Sequence, residues 1–522
     1  MRKNFLLFLL TVLLTLPSMA QDFEYKYEGQ LLLFTVLDEN AKTCMTREGD
    51  RNLISGKLVL PAHPKFDDIS YTLTEIGARS FYLSENVTSV EIPNTVTKIG
   101  RAAFSGCSGL TEVTIPNSVT EIGDAAFSGC SGLTKISIPN SVTEIGDLAF
   151  SRCSGLTEVT IPNSVIEIGE MSFYECSSLA EVTIPNSVIE IGDNAFYRCS
   201  GLSEVTIPTS VTEIGDATFS ECSGLTEVTI PNSVVKIGNE AFYGCSGLTE
   251  ITIPNSVIEI GEMAFSKCSG LTEVTIPDSV TKIGKLAFSE CSGLTKVTIP
   301  NSVTEISAGA FVFTSLTEVT IPNSVTELGA GAFMCTFLTE VIIPNSVRII
   351  GESAFQDCGR LTEVTIPNSV TKIGEMAFCG CRLTELTISD SVTELGEGAF
   401  LACYALTEVN YITDHPKKFD NDWYYPMFSV ETYDNATLYV MPEGLELAAE
   451  TVPWKYFKNI QAKDFDAGVE EIISNTNSDI DPNTPMEIYT LDGKSISSSF
   501  DNLAPGIYIV HQGSLTKKII VK

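Results

Sequence analysis

The sequence predicts a repeat solenoid: short parallel strands stacked into one long β-sheet, each returning through a short helical or 3-10 segment. Three observations lead there. Phenylalanines stand at 81, 104, 127, 150, 173, 196, 219, 242, 265, 288, 311, 333, 355, 378 and 400, spaced by 23 and occasionally 22 residues. Between them an apolar run of strand-forming residues stops at an Ile-Pro dipeptide in nearly every copy. What remains of each copy is too short for a full helix, so successive strands must run parallel, with the right-handed crossover such connections almost always adopt.

The stretch Leu110 to Cys130, L-T-E-V-T-I-P-N-S-V-T-E-I-G-D-A-A-F-S-G-C, assigns the elements. Leu110, Val113 and Ile115 match an L-x-x-L-x-L core and form the strand. Pro116 ends it because proline cannot donate to a ladder. Asn117 and Ser118 turn the chain, and Val119 and Ile122 return to the core. Gly123 permits a tight or positive-φ step. Ala125, Ala126 and Phe127 fit a short helical or 3-10 turn before the next strand. About fifteen strands at roughly 4.8 Å make a sheet on the order of 70 Å long.

A period of 22–23 residues with this core is the signature of leucine-rich repeats, whose units bury their apolar face only against neighbours. The unit L-T-E-V-T-I-P-N-S-V-T-E-I-G-x-x-A-F-x-x-C-S-G resembles the bacterial surface repeats of the BspA type. The resemblance covers residues 73–410 and implies a horseshoe-shaped, secreted or surface protein with a binding role. Asn117 and its equivalents sit one position earlier than the asparagine of the general leucine-rich pattern, so a buried asparagine ladder is not assumed.

The remaining segments fit around the repeats. Residues 1–20 read as a signal peptide: Arg2 and Lys3 precede the apolar run Phe5 to Leu16, closed by Ser18-Met19-Ala20, with cleavage expected between Ala20 and Gln21. No stretch reaches the roughly 20 apolar residues of a membrane span. Residues 21–72, with strand-like runs at Leu31 to Leu37 and Lys57 to Leu60, are an N-terminal cap. Residues 411–463 break the period and gather Tyr411, Phe419, Trp423, Tyr424, Tyr425, Phe428, Trp454 and Phe457, read mainly as the opposite cap, with an aromatic binding patch as the alternative. Residues 464–484 are a linker; its polar run Asn475, Asn477, Asp479, Asp481 lacks the glycine and terminal glutamate of a calcium loop. Residues 485–522 form a small β-sandwich-like module. Its strands are Glu487 to Leu491, Gly506 to Val510 and Leu515 to Val521, with a turn at Asp492-Gly493. With Leu503-Ala504-Pro505-Gly506-Ile507-Tyr508 followed by the basic end Lys517-Lys518-Ile519-Ile520-Val521-Lys522, it resembles the C-terminal sorting domain of type IX secretion, which implies contact with secretion machinery.

The chain has 32 basic and 66 acidic residues, a net charge of −34. That excludes nucleic acid and anionic membrane as natural partners and leaves cationic ones. Thr111, Glu112 and Thr114 alternate with core residues and face outward. Glutamate recurs at the middle position at 112, 158, 181, 204, 227, 250, 273, 318, 340, 363, 385 and 408, with Lys135 and Lys296 interrupting. Neighbouring like charges about 5 Å apart repel by roughly 0.8 kcal/mol in water before salt screening. This stripe is either a soluble residue copied by duplication or a binding face. The candidate protein-binding residues are Glu158, Glu181, Glu204, Glu227, Glu250 and Glu273 with Thr160, Thr183, Thr206 and Thr229. Calcium would need six or more oxygens, which one glutamate and two threonines supply only if layers share ligands.

No cofactor or metal is implied, and no catalytic role is expected. The three histidines, His63, His415 and His511, lie far apart in sequence, no C-x-x-C pair exists, and no nucleophile elbow, phosphate loop or H-E-x-x-H motif occurs. Nine cysteines from Cys107 to Cys291 recur every 23 residues. Their parallel Cβ atoms, about 4.8 Å apart, overreach the disulfide range, so they read as buried free thiols; Cys379 and Cys381 are the pair to watch. Between Ile306 and Ile343 a residue is lost, Ser307 replaces the glycine and Thr314 the cysteine, while Phe313 and Phe337 appear. Refilling of the core by these phenylalanines is the expectation, exposed aromatics at a kink the alternative. The function expected is an adhesin-like module engaging extracellular matrix or another cell surface; the alternative is a surface-coat protein that associates with itself.

Overall fold

The computed structural model describes residues 21–50, 53–419 and 426–465 and the strands Glu487–Thr490, Ser495–Ser497, Gly506–Gln512 and Leu515–Val521. The signal peptide, Trp423, Tyr424, Tyr425, the run from Asn475 to Thr484, the Asp492-Gly493 turn and Leu503-Ala504-Pro505 lie outside the described residues. The chain divides into two compact units, 1–233 and 234–522. The layers of each form a parallel β-solenoid.

In the first unit the inward set is the expected one. Leu110, Val119, Ala126, Phe127 and Cys130 are completely buried, and Val113, Ile115 and Ile122 nearly so. Strands such as Glu158–Thr160, Glu181–Thr183, Glu204–Thr206 and Glu227–Thr229 pair in parallel with residues in register. A second strand column, not anticipated, runs through Lys98–Ile99, Glu121–Ile122, Glu144–Ile145, Glu167–Ile168 and Glu190–Ile191. It continues the sheet begun by the antiparallel pair Asp22–Tyr27 and Gln30–Asp38.

The return arm is a third ladder, which corrects the expected helical or 3-10 segment. The N–H groups of Ala125, Phe127 and Gly129 donate to Asp147, Ala149 and Ser151 of the next layer at 2.7–2.8 Å. Those of Ala126, Ser128 and Cys130 close turns onto Gly123, Ala125 and Phe127 at 3.0–3.2 Å. Sending alternate N–H groups outward requires left-handed residues. Ala102, Ala125, Leu148, Met171, Asn194 and Ala217 have φ between +51° and +58°. Each side chain held there costs roughly 1–2 kcal/mol, offset by the interlayer bonds it permits. Gly123 is needed for closeness and not for its φ: a Cβ would stand 3.1 Å from the Arg101 nitrogen and the Ile99 oxygen.

Two further ladders are made by side chains. Thr111, Thr157 and Thr226 hydroxyls donate to the carbonyls of Thr88, Thr134 and Ser203, each at 3.0 Å. Ser118 and Ser164 donate to Val96 and Val142 at 2.6 Å, taking the place of an asparagine ladder. The phenylalanines from 81 to 219 stack with centroids 5.2–5.6 Å apart and planes within 14°.

The cysteines are free thiols, and they also donate hydrogen bonds. Cys107, Cys130, Cys153, Cys176, Cys199 and Cys222 point their Sγ at the carbonyl of the phenylalanine 26 residues earlier, at 3.1–3.2 Å. Burial pushes the Cys107 and Cys222 thiols up to about 12 from 9.0.

In the second unit the same layers recur, with a phenylalanine stack from Phe242 through Phe400 to Phe428. Phe428 ends it because Phe457 and Tyr433 meet its ring at 70° and 72°. Trp454 and Tyr411 are fully buried and stacked at 4.4 Å, so the described aromatics here close the core instead of lining a binding patch. Phe313 and Phe337 do not refill the core: they are 51% and 44% exposed, while Thr314 and Thr336 fill the thiol positions at 2% and 1%. A threonine is small enough for the slot, and its hydroxyl finds a partner there; Thr314 donates to the Phe311 carbonyl at 2.9 Å. The C-terminal strands form a single antiparallel sheet in the order 495–497, 487–490, 506–512, 515–521. Among the described residues no second layer of a sandwich faces it.

Two outcomes are expected. Phe173→Ala, in mid-stack, should cost about 3–5 kcal/mol, read as faster amide exchange concentrated in the adjoining layers, since solenoid stability is a sum over neighbours. Because folded Cys107 and Cys222 hold their protons above the pH at which the unfolded chain releases them, stability present below pH 9 is lost as pH climbs towards 12. Urea midpoints measured at rising pH should fall in that window, and Cys107→Ala with Cys222→Ala should flatten the fall.

Candidate binding faces

The first face is the strand column foreseen in the sequence. Glu181, Glu204, Glu227, Thr160, Thr183, Thr206 and Thr229 are exposed, and Glu158 is half-buried. The structure brings Glu158, Glu181, Glu204 and Glu227 into one register line. Its one cationic neighbour in register is Lys135, whose Nζ lies 2.6 Å from Glu158. The alternation of the strand dictates this: Val159, Val182, Val205 and Val228 take the inward positions. In the second unit Glu273 is exposed in strand Glu273–Thr275, aligned with Lys296, while exposed Glu250 lies outside the strands.

The second face escaped the sequence reading, although its signal, T-E-I-G in place of T-E-V-T, has the same period. Glu144, Glu167 and Glu190 align across the second strand column. Of these, Glu167 and Glu190, with Asp147, Glu170, Asp193 and Glu213, line a groove of about 520 Å³, bordered by Ile189, which is 60% exposed. Partial burial, and then the charges of Glu144, Glu190 and Asp147, hold the Glu167 carboxyl above its ordinary value. Asp147 and Asp193 carboxylates accept the backbone N–H of Glu170 and Asp216 at 2.8 and 2.7 Å, which fixes two walls of the groove.

Two cations of this unit's return arm, Arg152 and Arg198, are committed elsewhere. Glu175 bridges Arg152 and Arg198 at 3.2 and 3.3 Å, beside the stacked pair Tyr174 and Tyr197. Among the described residues no group of three or more His, Cys, Asp or Glu is placed to hold a metal ion, and no helix is long and apolar enough to cross a membrane.

Stacked layers with an open, side-chain-patterned strand face define a leucine-rich-repeat solenoid, a fold that typically serves as a non-catalytic scaffold for protein interaction. The chain belongs to the BspA-type leucine-rich-repeat family of bacterial surface proteins: the family's "BspA type Leucine rich repeat region" matches residues 74–200, 144–246, 216–336 and 326–432. A leucine-rich repeat protein from Bacteroides ovatus shares 27% identity over 73% of this chain and 93% of its own, with a TM-score of 0.56. A leucine rich cell surface protein from Faecalibacterium prausnitzii is 29% identical over 57% of this chain and 93% of its own, at a TM-score of 0.38. A Treponema protein, the T. pallidum leucine rich repeat protein, is 28% identical over 42% and 87%, at 0.30. The fold likeness rests on the first of these. No curated protein matches the sequence.

Crowding of like charge should be measurable. Glu181→Gln with Glu204→Gln is expected to raise the melting temperature in low salt. The gain should vanish near 1 M salt, where the screening length falls to about 3 Å.

Proposed function

We propose that the protein is a secreted or surface-displayed protein-binding module, adhesin-like in use, that engages a cationic protein surface through its glutamate and threonine face. The observation that carries this reading is the in-register line Glu158, Glu181, Glu204 and Glu227, bordered by a single lysine. A rigid row of carboxylates, flanked by threonines, meets basic side chains without first paying to order itself. Its charge also speeds encounter with a positive partner. Glu250, Glu273 and the threonines at 160, 183, 206 and 229 belong to the proposed contact set. Matrix proteins and neighbouring cell surfaces are the partner class.

The reading includes export. Residues 1–20 serve as a signal peptide removed between Ala20 and Gln21, and the C-terminal module engages secretion machinery that delivers the chain to the exterior of the outer membrane. No reaction is assigned to it.

The test is binding of the purified protein to arrays of matrix proteins, basic proteins and glycans at low and high salt. Selective binding that weakens with salt is expected, and Glu181→Lys with Glu204→Lys and Glu227→Lys should reduce it by roughly a hundredfold, about 3 kcal/mol. Binding unchanged by the triple reversal would refute this face. Loss on reversing Glu167 and Glu190 alone would move the site to the groove.

A further inference from the structure

The second unit carries a surface strip unlike the rest of the chain. Its layers are set by Thr339 donating to Thr317, Thr362 to Thr339, Thr384 to Thr362 and Thr407 to Thr384, at 3.0–3.4 Å. Two residues before each of these threonines, the successive layers hold Ser315, Phe337, Arg360, Arg382 and Ala405. Most other layers place glycine there, and for good reason: a Cβ on Gly293 would stand 2.5 Å from the Ser269 oxygen. Cys-Ser-Gly-Leu shortens to Thr-Phe-Leu and Cys-Arg-Leu at Phe337 and Arg382, the full-length Cys-Gly-Arg-Leu between them puts Arg360 in the glycine's place, and all three side chains are exposed.

The result is an aromatic and cationic line. Phe337 is 44% exposed, with the Arg360 guanidinium 4.7 Å from its ring centroid; Phe313 and Tyr404 flank the line at 51% and 68%. Among the described residues no carboxylate lies within ion-pair distance of Arg360 or Arg382. Three positions further along each strand run exposed Glu340, Glu363 and Glu385, with Glu340 and Glu363 in register. Two columns of opposite charge therefore lie side by side at constant offset.

We infer that this strip is a self-docking surface whose occupant is a second copy of the same strip. A two-fold axis lying between the columns and parallel to them sets the arginine column of each copy over the glutamate column of the other. Arg360 and Arg382 then meet the partner copy's Glu363 and Glu385 levels, and the same contacts repeat in reverse, as an isologous interface requires. A two-fold axis across the columns would set arginine on arginine. Phe337, Phe313 and Tyr404 supply the aromatic contacts that interfaces concentrate together with arginine. The net charge of −34 opposes approach at long range. At physiological salt that repulsion is screened beyond about 8 Å, while contacts across the strip are not. Five layers at roughly 4.8 Å make a small interface, so the association is of the weak, reversible kind.

Sedimentation of the full chain over a wide concentration range tests this, with circular dichroism to verify folding. The wild type is expected to dimerise reversibly. Arg360→Glu with Arg382→Glu, and separately Glu363→Arg with Glu385→Arg, should each weaken the dimer by about tenfold or more. Mixing the two variants should restore a mixed dimer. A wild type monomeric at every concentration, a dimer indifferent to both variants, or a mixture that stays monomeric would overturn the proposal. So would a monomeric wild type whose arginines instead bind a glutamate-tyrosine copolymer, which would make the strip a site for a foreign acidic chain. The residues differ from those of the proposed partner face, so either reading can fail alone.

Discussion

A layer of 22 or 23 residues cannot enclose a core, and every feature of this protein follows from how one layer is fastened to the next. The fastening is backbone hydrogen bonding on three sides: the strand column, the short Glu-Ile column and the return arm. Serine, threonine and cysteine side chains reinforce it at the corners by donating to carbonyls one layer back. Within that frame the phenylalanines have no choice but to stack, since each arrives at the same height in its layer and meets the ring of its neighbour at about the layer spacing.

The apolar half of this arrangement was readable from sequence because burial selects residue type strongly. Leu110, Val113, Ile115, Val119, Ile122 and Phe127 occupy the interior as their pattern requires. The backbone half was not. Strands of two residues, such as Glu121–Ile122, leave too short an alternation to distinguish pairing from a turn. The left-handed positions of the return arm hold alanine, leucine, methionine and asparagine, residues with no common preference for that region, so tertiary bonding decides their conformation. Phe313 and Phe337 misled because an apolar side chain beside a missing thiol looks like a replacement for it, whereas the adjacent threonines already fit.

The candidate faces divide along the same line. Alternation in L-T-E-V-T-I fixed which residues of the strand column face outward, and Glu181, Glu204 and Glu227 do so. The groove around Glu167 depends on three-dimensional closeness of two columns of acids, one on the short strands and one beside the glycine. The strip at Phe337, Arg360 and Arg382 combines two shortened corners with one full-length corner in which arginine replaces glycine, visible in sequence only as scattered departures from the repeat.

The ladders all point along the direction in which layers accumulate. Junctions stacked in that direction stand in series, so a pull along it puts the same force on each, and they yield one at a time instead of sharing the load in parallel. Each layer that peels away would release some 23 residues, roughly 75 Å of extended chain at about 3.4 Å per residue, while the layers behind it stay intact. The same stacking that makes a stiff surface thus also makes a spool, lengthening under tension by one layer of 22 or 23 residues at a time.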